Sequence, residues 1–273
     1  MTNSLAGKIV IITGASSGIG KALAFEFASK NAVLVIAARN EAKLEAVAEE
    51  LKMQGTTVTT VVADVSSEED CRKLIDDTIN RYGKLDILVN NAGLSMRAIF
   101  SKLKLDVVRR LMDVNFWGTV YCTYYALPHL LQSKGTVCGI ISVAGHVGLP
   151  GRTGYSASKF AVRGFLESLR NENLRTGLHV LIVAPGFTTS NIRNVALAAD
   201  GSSQGESPRD ENKMMSAEKA AQHISKAIEQ RRNNLILTFK EGKLTVFLHK
   251  WFPSLIGKLA FKHLAHEPNS PFN

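Results

Sequence analysis

Short apolar runs alternate along most of the chain with segments in which apolar residues recur at helical spacing. Continuous runs of branched residues, bounded by glycine or polar residues, predict strands that are buried on both faces of a sheet. Such runs lie within residues 9–12, 32–38, 58–62, 85–89, 135–143, 179–184 and 235–239. The helical segments between them predict a parallel sheet covered by helices on both faces, which is an α/β architecture.

Two of the predicted helices have features of their own. Ser66-x-x-Glu69 matches a capping box for a helix that runs to about Tyr82. A longer helical segment spans about residues 105–131 and holds Asn115 in its interior, where asparagine has poor helix propensity. Without further information, the simplest explanation is a buried asparagine that is hydrogen-bonded to a neighbouring backbone.

A single domain with a C-terminal extension accounts for 273 residues of 45% hydrophobic content. We expect residues 1–240 to form the domain and residues 241–273 a basic, apolar helical extension of it. Residues 191–215 are polar and rich in helix-breaking residues, which predicts either a mobile substrate lid or a disordered loop. In the extension, residues 243–264 mix large apolar side chains with lysines, and Pro253 divides them into two short helices. They could contact a membrane surface peripherally, cover the substrate pocket or pack on a partner subunit.

Charge and cysteine usage narrow the class of protein. The net charge is +9, but lysines and arginines are spread along the chain and form no basic arm, so we expect an anionic small ligand or a membrane surface and no nucleic acid. Cys71, Cys122 and Cys138 are scattered, which is typical of a reducing compartment. The histidines have no metal-ligand spacing, and no secretory pattern or spanning apolar run is present. We therefore expect a cytoplasmic protein, with membrane association as an alternative, and no metal site.

The stretch IVIITGASSGIG predicts a phosphate-binding turn. A buried strand leads into Gly14, Gly18 and Gly20, and a helical pattern follows. Glycines let a ligand approach the backbone closely, and the unpaired N–H groups at the start of the helix favour negative charge. The alternative is a tight turn between strand and helix with no ligand.

The second predicted strand ends on Arg39 and Asn40, with no Asp or Glu at its end. In dinucleotide-binding folds an acid at this place holds the ribose 2′-hydroxyl, whereas a basic residue suits a 2′-phosphate. Since the guanidinium group matches phosphate geometry, Arg39 favours NADP over NAD. The alternative is a solvated arginine in a loop.

Ser142, Tyr155 and Lys159 form the third candidate constellation. Tyr155 and Lys159 are four residues apart and so share one face of a helix, and Ser142 lies at a predicted strand end, where ligands of parallel sheets bind. A tyrosine with its ordinary pKa of about 10 is a poor base at neutral pH, and a nearby ammonium group favours the phenolate. Tyr155 could then exchange a proton with a carbonyl oxygen that Ser142 holds. Alone, Y-x-x-x-K is more often an exposed surface pair.

Taken together, these motifs resemble the short-chain dehydrogenase/reductase family. T-G-x-x-x-G-x-G, N-N-A-G at residues 90–93, a mid-helix Asn115, Ser142 and Y-x-x-x-K occur in the family's order and spacing, and the resemblance covers residues 5 to about 240. It implies a Rossmann-like, doubly wound, seven-stranded parallel sheet and a homodimer or homotetramer. It also implies that Asn115 bends its helix and holds a water that relays protons to Lys159.

The resemblance assigns the cofactor site as well. An acid–apolar pair would hold the adenine, small residues after the fourth strand would form the floor, Lys159 would bind the ribose of the nicotinamide, and P-G-x-x-x-T would contact its carboxamide. In this chain Ser190 stands where the family has threonine, which makes Thr188 the stronger candidate for the carboxamide contact. The residues so assigned are Gly14, Ser16, Ser17, Gly18, Ile19, Gly20, Arg39, Asn40, Asp64, Val65, Asn91, Ala92, Gly93, Tyr155, Lys159, Pro185, Gly186, Thr188 and Ser190.

The function predicted on this basis is NADP(H)-dependent hydride transfer between the nicotinamide and a carbonyl or secondary alcohol. Asn115, Ser142, Tyr155 and Lys159 are the predicted catalytic residues. The apolar extension suggests a hydrophobic small-molecule substrate that is steroid-like or lipid-derived. The alternatives are a nucleotide-binding scaffold without turnover and a peripheral membrane module in which the extension dominates.

Overall fold

The computed structural model describes residues 5–211 and 214–272. Residues 1–4, 212–213 and 273 belong to the predicted domain, lid and extension, and they lie outside the described residues. In the described ranges, seven parallel strands form one sheet in the order β3-β2-β1-β4-β5-β6-β7. The strands are β1 (Ile9–Thr13), β2 (Val33–Ala38), β3 (Val58–Val62), β4 (Ile87–Asn90), β5 (Thr136–Ile140), β6 (His179–Ala184) and β7 (Asn234–Ile236). The predicted doubly wound fold is confirmed.

Helices cover both faces of the sheet. The domain contains α1 (Gly18–Ala28), α2 (Glu41–Met53), α3 (Glu68–Tyr82), α4 (Leu105–Leu111), α5 (Gly118–Gln132), α6 (Thr153–Glu172) and α7 (Ala217–Glu229). One core packs α1, α2 and α7 against the sheet, and the other packs α3 to α6 against its opposite face. Because every residue of β1 is buried, its branched side chains fill both cores.

The order of the strands reverses between β1 and β4, since β1 pairs with β2 on one side and with β4 on the other. Ligands of open parallel sheets bind at such a switch point, beyond the carboxyl ends of the strands. The glycine-rich turn begins there after β1, and the N-N-A-G segment begins there at Asn90, the last residue of β4.

Several predicted boundaries are corrected. The fourth strand begins at Ile87, because Asp86 before it is tied by its side chain to Lys8, Lys84 and the backbone N–H of Ile9. The fifth strand ends at Ile140, so Ser142 lies two residues past it and begins a turn over Val143–Gly145. The seventh strand, predicted over residues 235–239, is β7, which is shorter and ends at Ile236.

The predicted capping box is wrong. Ser67 caps α3, with its Oγ accepting from the N–H of Asp70 at 3.2 Å. Ser66 instead donates its hydroxyl to Asp64 at 2.7 Å, which removes it from the helix end. The helix does end at Tyr82, where Gly83 has φ +71°.

The long predicted helix is interrupted. A π-helical turn over Met112–Trp117 separates α4 from α5, and Asn115 lies in this turn. The turn inserts one residue into the helical register, so the side chains on either side face different neighbours.

The extension folds as predicted, into two helices divided by Pro253. After a turn over Phe239–Leu244 come α8 (Thr245–Trp251) and α9 (Pro253–Ala265). Ile256 and Val246 pack together beside the main cores. No helix in the described ranges has the length and apolar content to cross a membrane.

Candidate active site

The glycine-rich turn has the shape of a phosphate cradle. Gly14 and Gly18 have φ +65° and +54°, values that side chains other than glycine rarely adopt. Ser17 precedes α1 but makes no side-chain cap hydrogen bond, so the first N–H groups of the helix are not capped by it. Both features suit the diphosphate of a dinucleotide.

Gly20 contributes through packing. A Cβ atom there would lie 2.3 Å from the carbonyl oxygen of Gly14 and 2.5 Å from Nδ2 of Asn91. Because no side chain fits, the start of α1 packs directly against the turn, and the turn is held against the end of β4.

Asn91 and Thr13 join the two strand ends at the switch point. Nδ2 of Asn91 donates to the carbonyl oxygens of Thr13 at 2.9 Å and Gly14 at 3.2 Å. The Thr13 hydroxyl accepts from the backbone N–H groups of Asn91 and Ala92. Asn90 points the other way and donates to Thr123 at 3.0 Å. Asn90 therefore has a structural role, whereas Asn91 to Gly93 line the cavity.

Arg39 and Asp64, which were predicted to bind opposite ends of the adenosine, pair with each other. Nη1 of Arg39 lies 3.6 Å from Oδ2 of Asp64, and both side chains are partly exposed. Partial burial raises the pKa of the Asp64 carboxyl, but hydrogen bonds from Ser66 and the charge of Arg39 outweigh it, so the net direction is downward. Asn40 caps α2, accepting from the N–H of Lys43 at 2.9 Å.

Asn115 is fully buried and uses its whole side-chain amide. Its Oδ1 accepts from the N–H of Leu94 at 2.8 Å, and its Nδ2 donates to the Leu94 carbonyl at 2.9 Å and to the Ser158 hydroxyl at 2.9 Å. The π-helical turn therefore holds the segment after β4 and α6 together. A proton relay through water at this residue stays a prediction.

Lys159 and Tyr155 lie on one face of α6, and both are buried. Nζ of Lys159 donates to the carbonyl oxygen of Ile140 at 2.9 Å and lies 5.9 Å from the centre of the Tyr155 ring. The Ser142 hydroxyl accepts from the N–H of Ala144 at 3.1 Å and is a hydrogen-bonding neighbour of the Tyr155 phenol. The carbonyl of Ile140 at the end of β5 thus fixes Lys159, and the turn that follows β5 fixes Ser142.

The electrostatics of this group differ from the prediction. Burial raises the pKa of Tyr155, and the opposing effects come from the hydrogen bond with Ser142 and the charges of Arg152 and Arg193. Burial also lowers the pKa of Lys159 to about 8. The expectation that the Lys159 ammonium brings the Tyr155 pKa down is therefore wrong for the protein alone, where burial is the largest effect and the charges that oppose it are those of Arg152 and Arg193.

The loop that follows β6, from Pro185 to Ser190, forms another part of the cavity wall. The carbonyl of Pro185 accepts from the N–H of Val143 at 3.1 Å, which joins this loop to the turn that holds Ser142. Thr188 is buried, and its carbonyl accepts from Arg193 at 2.9 Å. Ser190 approaches Gly18 so closely that a Cβ there would lie 3.1 Å from that of Ser190.

One cavity of about 950 Å³ collects nearly all predicted site residues. Gly20 and Asn115 are not in its wall: the first packs behind the turn, and the second acts through Leu94. The residues in the wall are Gly14, Ser16, Ser17, Gly18, Ile19, Arg39, Asn40, Asp64, Val65, Asn91, Ala92, Gly93, Ser142, Tyr155, Lys159, Pro185, Gly186, Thr188 and Ser190. Their individual roles stay predictions. The glycine cradle, the basic strand end and the long continuous cavity fit an extended dinucleotide.

Three arginines in the same wall were missed by the sequence analysis. Arg152, Arg193 and Arg209 line the cavity beyond Tyr155. Arg152 directly precedes α6, and the other two lie in the segment predicted to be a lid. The described part of this segment is held by Arg193, which donates to both carboxylate oxygens of Glu211 at 2.8 and 2.7 Å. No motif connects these arginines along the sequence, and only their type could have drawn attention to them.

The extension supplies the rest of the wall. Ile256, Leu259, Ala260, His263 and Leu264 of α9 line the cavity. The extension therefore covers the pocket, which was one of the three alternatives. Its outer face does not take part in this contact and is free to meet a membrane or a partner subunit.

Comparisons with known proteins agree with this geometry. A family model described as short chain dehydrogenase matches residues 8–200. A protein of Arabidopsis thaliana named 11-beta-hydroxysteroid dehydrogenase-like 3 is 44% identical over 191 residues, which are 69% of this chain and 62% of that protein. The chain spans less than two thirds of the length of such curated relatives.

Solved structures share the fold at lower identity. A short-chain dehydrogenase/reductase from Burkholderia phymatum in complex with NAD has a TM-score of 0.83 at 24% identity and covers 92% of this chain and 95% of its own. An alcohol dehydrogenase from Thermococcus sibiricus complexed with 5-hydroxy-NADP has a TM-score of 0.73 at 24% identity, covering 84% and 93%. With the family model matched over most of the sheet, the chain belongs to the short-chain dehydrogenase family.

Proposed function

We propose that this protein is an NADP(H)-dependent oxidoreductase that acts on a hydrophobic carbonyl or secondary alcohol. The observation that carries the proposal is a single cavity whose wall holds both the glycine cradle and the Ser142, Tyr155 and Lys159 side chains. The nicotinamide cofactor, when bound, supplies or accepts the hydride. The protein must then hold the carbonyl oxygen and exchange its proton.

Tyr155 is the proton donor in the direction of reduction. Its raised pKa keeps the phenol protonated at neutral pH, so a proton is available for the oxygen of the incoming carbonyl. Ser142, which is next to the phenol, donates a hydrogen bond to the same oxygen and orients it. In oxidation the same two side chains receive the hydroxyl group, and Tyr155 must first lose its proton.

Lys159 would hold the cofactor beside this pair. Its ammonium is fixed by the Ile140 carbonyl at 2.9 Å and lines the same cavity. There it would bind the ribose of the nicotinamide and so position the ring that supplies or accepts the hydride.

The preference for NADP rests on Arg39. Its guanidinium lies at the end of β2 on the cavity wall, where it can meet a 2′-phosphate. The solved neighbours include one complex with NAD and one with an NADP derivative, so they favour neither cofactor.

The hydrophobic substrate is inferred from the wall and from the relatives. The side chains of α9 give the substrate end of the cavity an apolar surface, and several relatives are named 11-beta-hydroxysteroid dehydrogenases. We therefore propose a steroid-like or lipid-like ketone or alcohol as the class of substrate.

The test is NADPH oxidation by the purified protein with a panel of steroid and long-chain ketones, compared with Tyr155→Phe. The wild type should turn over a member of the panel, and the variant should lose about 10²–10⁴ in kcat because it lacks only the transferable proton. Tyr124→Phe, at an exposed tyrosine of α5, is the matched control and should retain the wild-type rate. If the protein binds NADPH but Tyr155→Phe reacts as fast as the wild type, the proposed role of Tyr155 is wrong. If it binds NADPH and turns nothing over, a silent scaffold takes the place of the enzyme.

A second proposed property is peripheral membrane contact through the outer face of the extension. Large apolar side chains on α8 and α9 are exposed, among them Phe247, Trp251 and Leu255. The exposed lysines Lys250 and Lys258 flank them. An apolar face bordered by lysines suits an anionic lipid surface.

Vesicle co-sedimentation tests this contact. Vesicles of phosphatidylcholine with phosphatidylserine should retain the wild type and release a Trp251→Asp, Leu255→Asp double variant. Leu174→Asp, at an exposed leucine just past α6, should sediment as the wild type does. Equal sedimentation of all three proteins would refute the membrane contact.

Self-association is also proposed, as a homodimer or homotetramer. Trp117 at the end of the π-helical turn, Tyr124 on α5 and Phe160 on α6 are exposed aromatic residues outside the cavity wall. Such residues are enriched at interfaces between subunits. Sedimentation velocity should show a species larger than a monomer, and Tyr124→Glu should shift it toward the monomer.

A further inference from the structure

The cavity wall beyond Tyr155 combines guanidinium groups with apolar side chains. Arg152, Arg193 and Arg209 line it together with side chains of α9 such as Ile256 and Leu259. A neutral steroid would match the apolar side chains but would leave the guanidinium groups without an anion.

The arginines belong to a cluster that is poorer in acids than in bases. The cluster consists of the guanidinium groups of Arg97, Arg152, Arg193 and Arg209 and the carboxylates of Glu211 and Glu267. Since four positive charges stand against two negative ones, the six residues carry a net charge of +2. Buried cations are costly unless an anion compensates them.

Glu267 is shared between two of these arginines. Its Oε1 lies 2.5 Å from Nη2 of Arg209, and its Oε2 lies 3.3 Å from Nη2 of Arg97. Both Arg97 and Glu267 are buried, and Nη1 of Arg97 has no hydrogen-bond partner among the described residues. One carboxylate therefore serves two guanidinium groups and cannot neutralise the pair.

Arg152 has only neutral partners in its hydrogen bonds. Its Nη1 donates to the Ser95 hydroxyl at 3.0 Å and to the Met96 carbonyl at 2.8 Å. These bonds fix the guanidinium in the cavity wall three residues before Tyr155. Burial lowers the pKa of Arg152, the charge of the Glu267 carboxylate opposes this effect, and the charges of Arg97 and Arg209 add to it.

Arg209 is placed by an aromatic ring. Its guanidinium carbon lies 3.6 Å from the centre of the Phe187 ring, and both residues line the cavity. A guanidinium stacked on a ring and paired at one edge keeps its shape while it binds an oxyanion. The three lining arginines are therefore held ready before a ligand arrives.

We propose that the substrate of this enzyme carries an anionic oxyacid group, a carboxylate or a phosphate, which Arg152, Arg193 and Arg209 bind beside the reacting carbonyl. Its apolar part lies along α9. The proposal rests on the carbonyl reduction proposed above and narrows its substrate to acidic, amphiphilic keto compounds. Guanidinium groups bind carboxylates and phosphates through paired hydrogen bonds, and the pairing is strong where water is excluded.

A binding experiment tests the anion site without requiring turnover. The protein is first saturated with NADPH, so that the cofactor phosphates occupy their own site. Octanoate, octyl phosphate and octanol are then titrated by calorimetry. The two anions should bind at least about tenfold more tightly than the alcohol, and added salt should weaken only their binding. The stronger of the two anions identifies the oxyacid. Equal affinities for the anions and the alcohol would overturn the proposal.

Substitutions identify the arginines responsible. Arg209→Gln should reduce the preference for the anion over octanol by about tenfold, and Arg209→Lys should restore part of it because the positive charge remains. Arg175→Gln, at an exposed arginine beyond α6, is the matched control and should leave the preference unchanged. If Arg193→Gln weakens NADPH binding and leaves the anion preference intact, Arg193 serves the cofactor and not the substrate.

A turnover experiment separates this proposal from the proposed function. The substrates are a γ-keto fatty acid and its methyl ester, compared by kcat/KM. Preference for the acid supports both proposals. Equal or better reduction of the ester leaves the reductase intact and overturns the anion site. Binding of anions with no reduction of any ketone leaves the anion site intact and overturns the reductase.

Discussion

Asn115 and Leu94 are joined by two hydrogen bonds between one side chain and one backbone residue. Oδ1 of Asn115 accepts from the N–H of Leu94 at 2.8 Å, and Nδ2 donates to the carbonyl of the same residue at 2.9 Å. The side-chain amide thus pairs with the backbone N–H and carbonyl of Leu94, as a neighbouring strand would, in the segment that follows β4. Both groups of Leu94 are buried, and so their pairing depends on this one side chain.

Asn115→Leu should therefore destabilise the protein strongly. The variant keeps the volume but leaves two buried backbone groups without partners, at about 1–3 kcal/mol each. We expect the free energy of unfolding, measured with urea, to fall by about 3 kcal/mol. Asn80→Leu, at an exposed position of α3, is the control and should change it little. A small effect at Asn115 would show that water replaces the amide.

A methyl group at Gly20 should separate α1 from the glycine-rich turn. The Cβ of Gly20→Ala would lie 2.3 Å from the Gly14 carbonyl oxygen, so either the turn or the helix must move. We expect at least a tenfold loss in NADPH affinity, which is about 1.4 kcal/mol, together with a lower melting temperature. Gly164→Ala, in α6 with open space around it, should instead stabilise the protein by about 1 kcal/mol. If both variants bind NADPH equally well, the close approach at Gly20 is not needed for the cradle.

The charge at Arg39 should set the cofactor preference. In Arg39→Asp, two carboxylates would face each other where Arg39 now pairs with Asp64 at 3.6 Å, and a 2′-phosphate would be repelled. Fluorescence titration should show that the wild type prefers NADPH by at least tenfold, about 1.4 kcal/mol, and that the variant prefers NADH. Arg175→Asp changes the net charge equally and should keep the wild-type preference. If the wild type binds both cofactors equally, Arg39 has no role in the choice.

Lys159 should make the stability of the protein depend on alkaline pH. Its folded-state pKa is about 8, below the ordinary value of 10.5, so the unfolded chain binds the proton more tightly. Below pH 8 the folded protein bears the full cost of burying the ammonium. As the pH rises from 8 to 10.5, Lys159 loses its proton in the folded protein first, and the free energy of unfolding should rise by about 3 kcal/mol.

The measurement is urea unfolding of the wild type and Lys159→Met from neutral pH to pH 10.5. Because the other titrating groups are common to both proteins, the difference between their unfolding free energies isolates Lys159. It should shift in favour of the wild type as the pH rises. Lys226→Met, at an exposed lysine of α7, is the control for removal of a lysine charge. A constant difference for Lys159→Met would mean that its ammonium is not desolvated.

The sequence predicted those parts of the fold and site that depend on neighbouring residues. The run before Gly14 could only be a strand buried on both faces, and the four-residue spacing of Tyr155 and Lys159 placed them on one helix face. The position of Pro253 divided the extension correctly. In each case the pattern and its structural consequence lie within one element.

Features that depend on distant partners could not be predicted. The family resemblance implied a bend at Asn115, but not its form as a π-helical turn, because the apolar spacing is that of an ordinary helix and the bonds of Asn115 reach Leu94 and Ser158. Ser66 was predicted to cap α3, but its hydroxyl bonds to Asp64 instead. The burial that raises the Tyr155 pKa comes from the whole cavity.

The arginine cluster is the clearest example. Glu267 meets Arg97 and Arg209 only because the extension folds back over the cavity. In the sequence, these three residues belong to separate segments with no motif in common. A net positive charge of the whole chain pointed to an anionic ligand, but it could not locate the site.

The strand order also bears on how the protein can be made. β1, β2 and β3 are complete once residue 62 has been synthesised, and they pair with one another directly. β4 joins the free edge of β1 when residue 90 has emerged. A chain growing from the ribosome can thus assemble the nucleotide half of the pocket before Ser142, Tyr155 and Lys159 exist. The part of the chain that carries these three side chains is synthesised last and can be added to strands that have already paired.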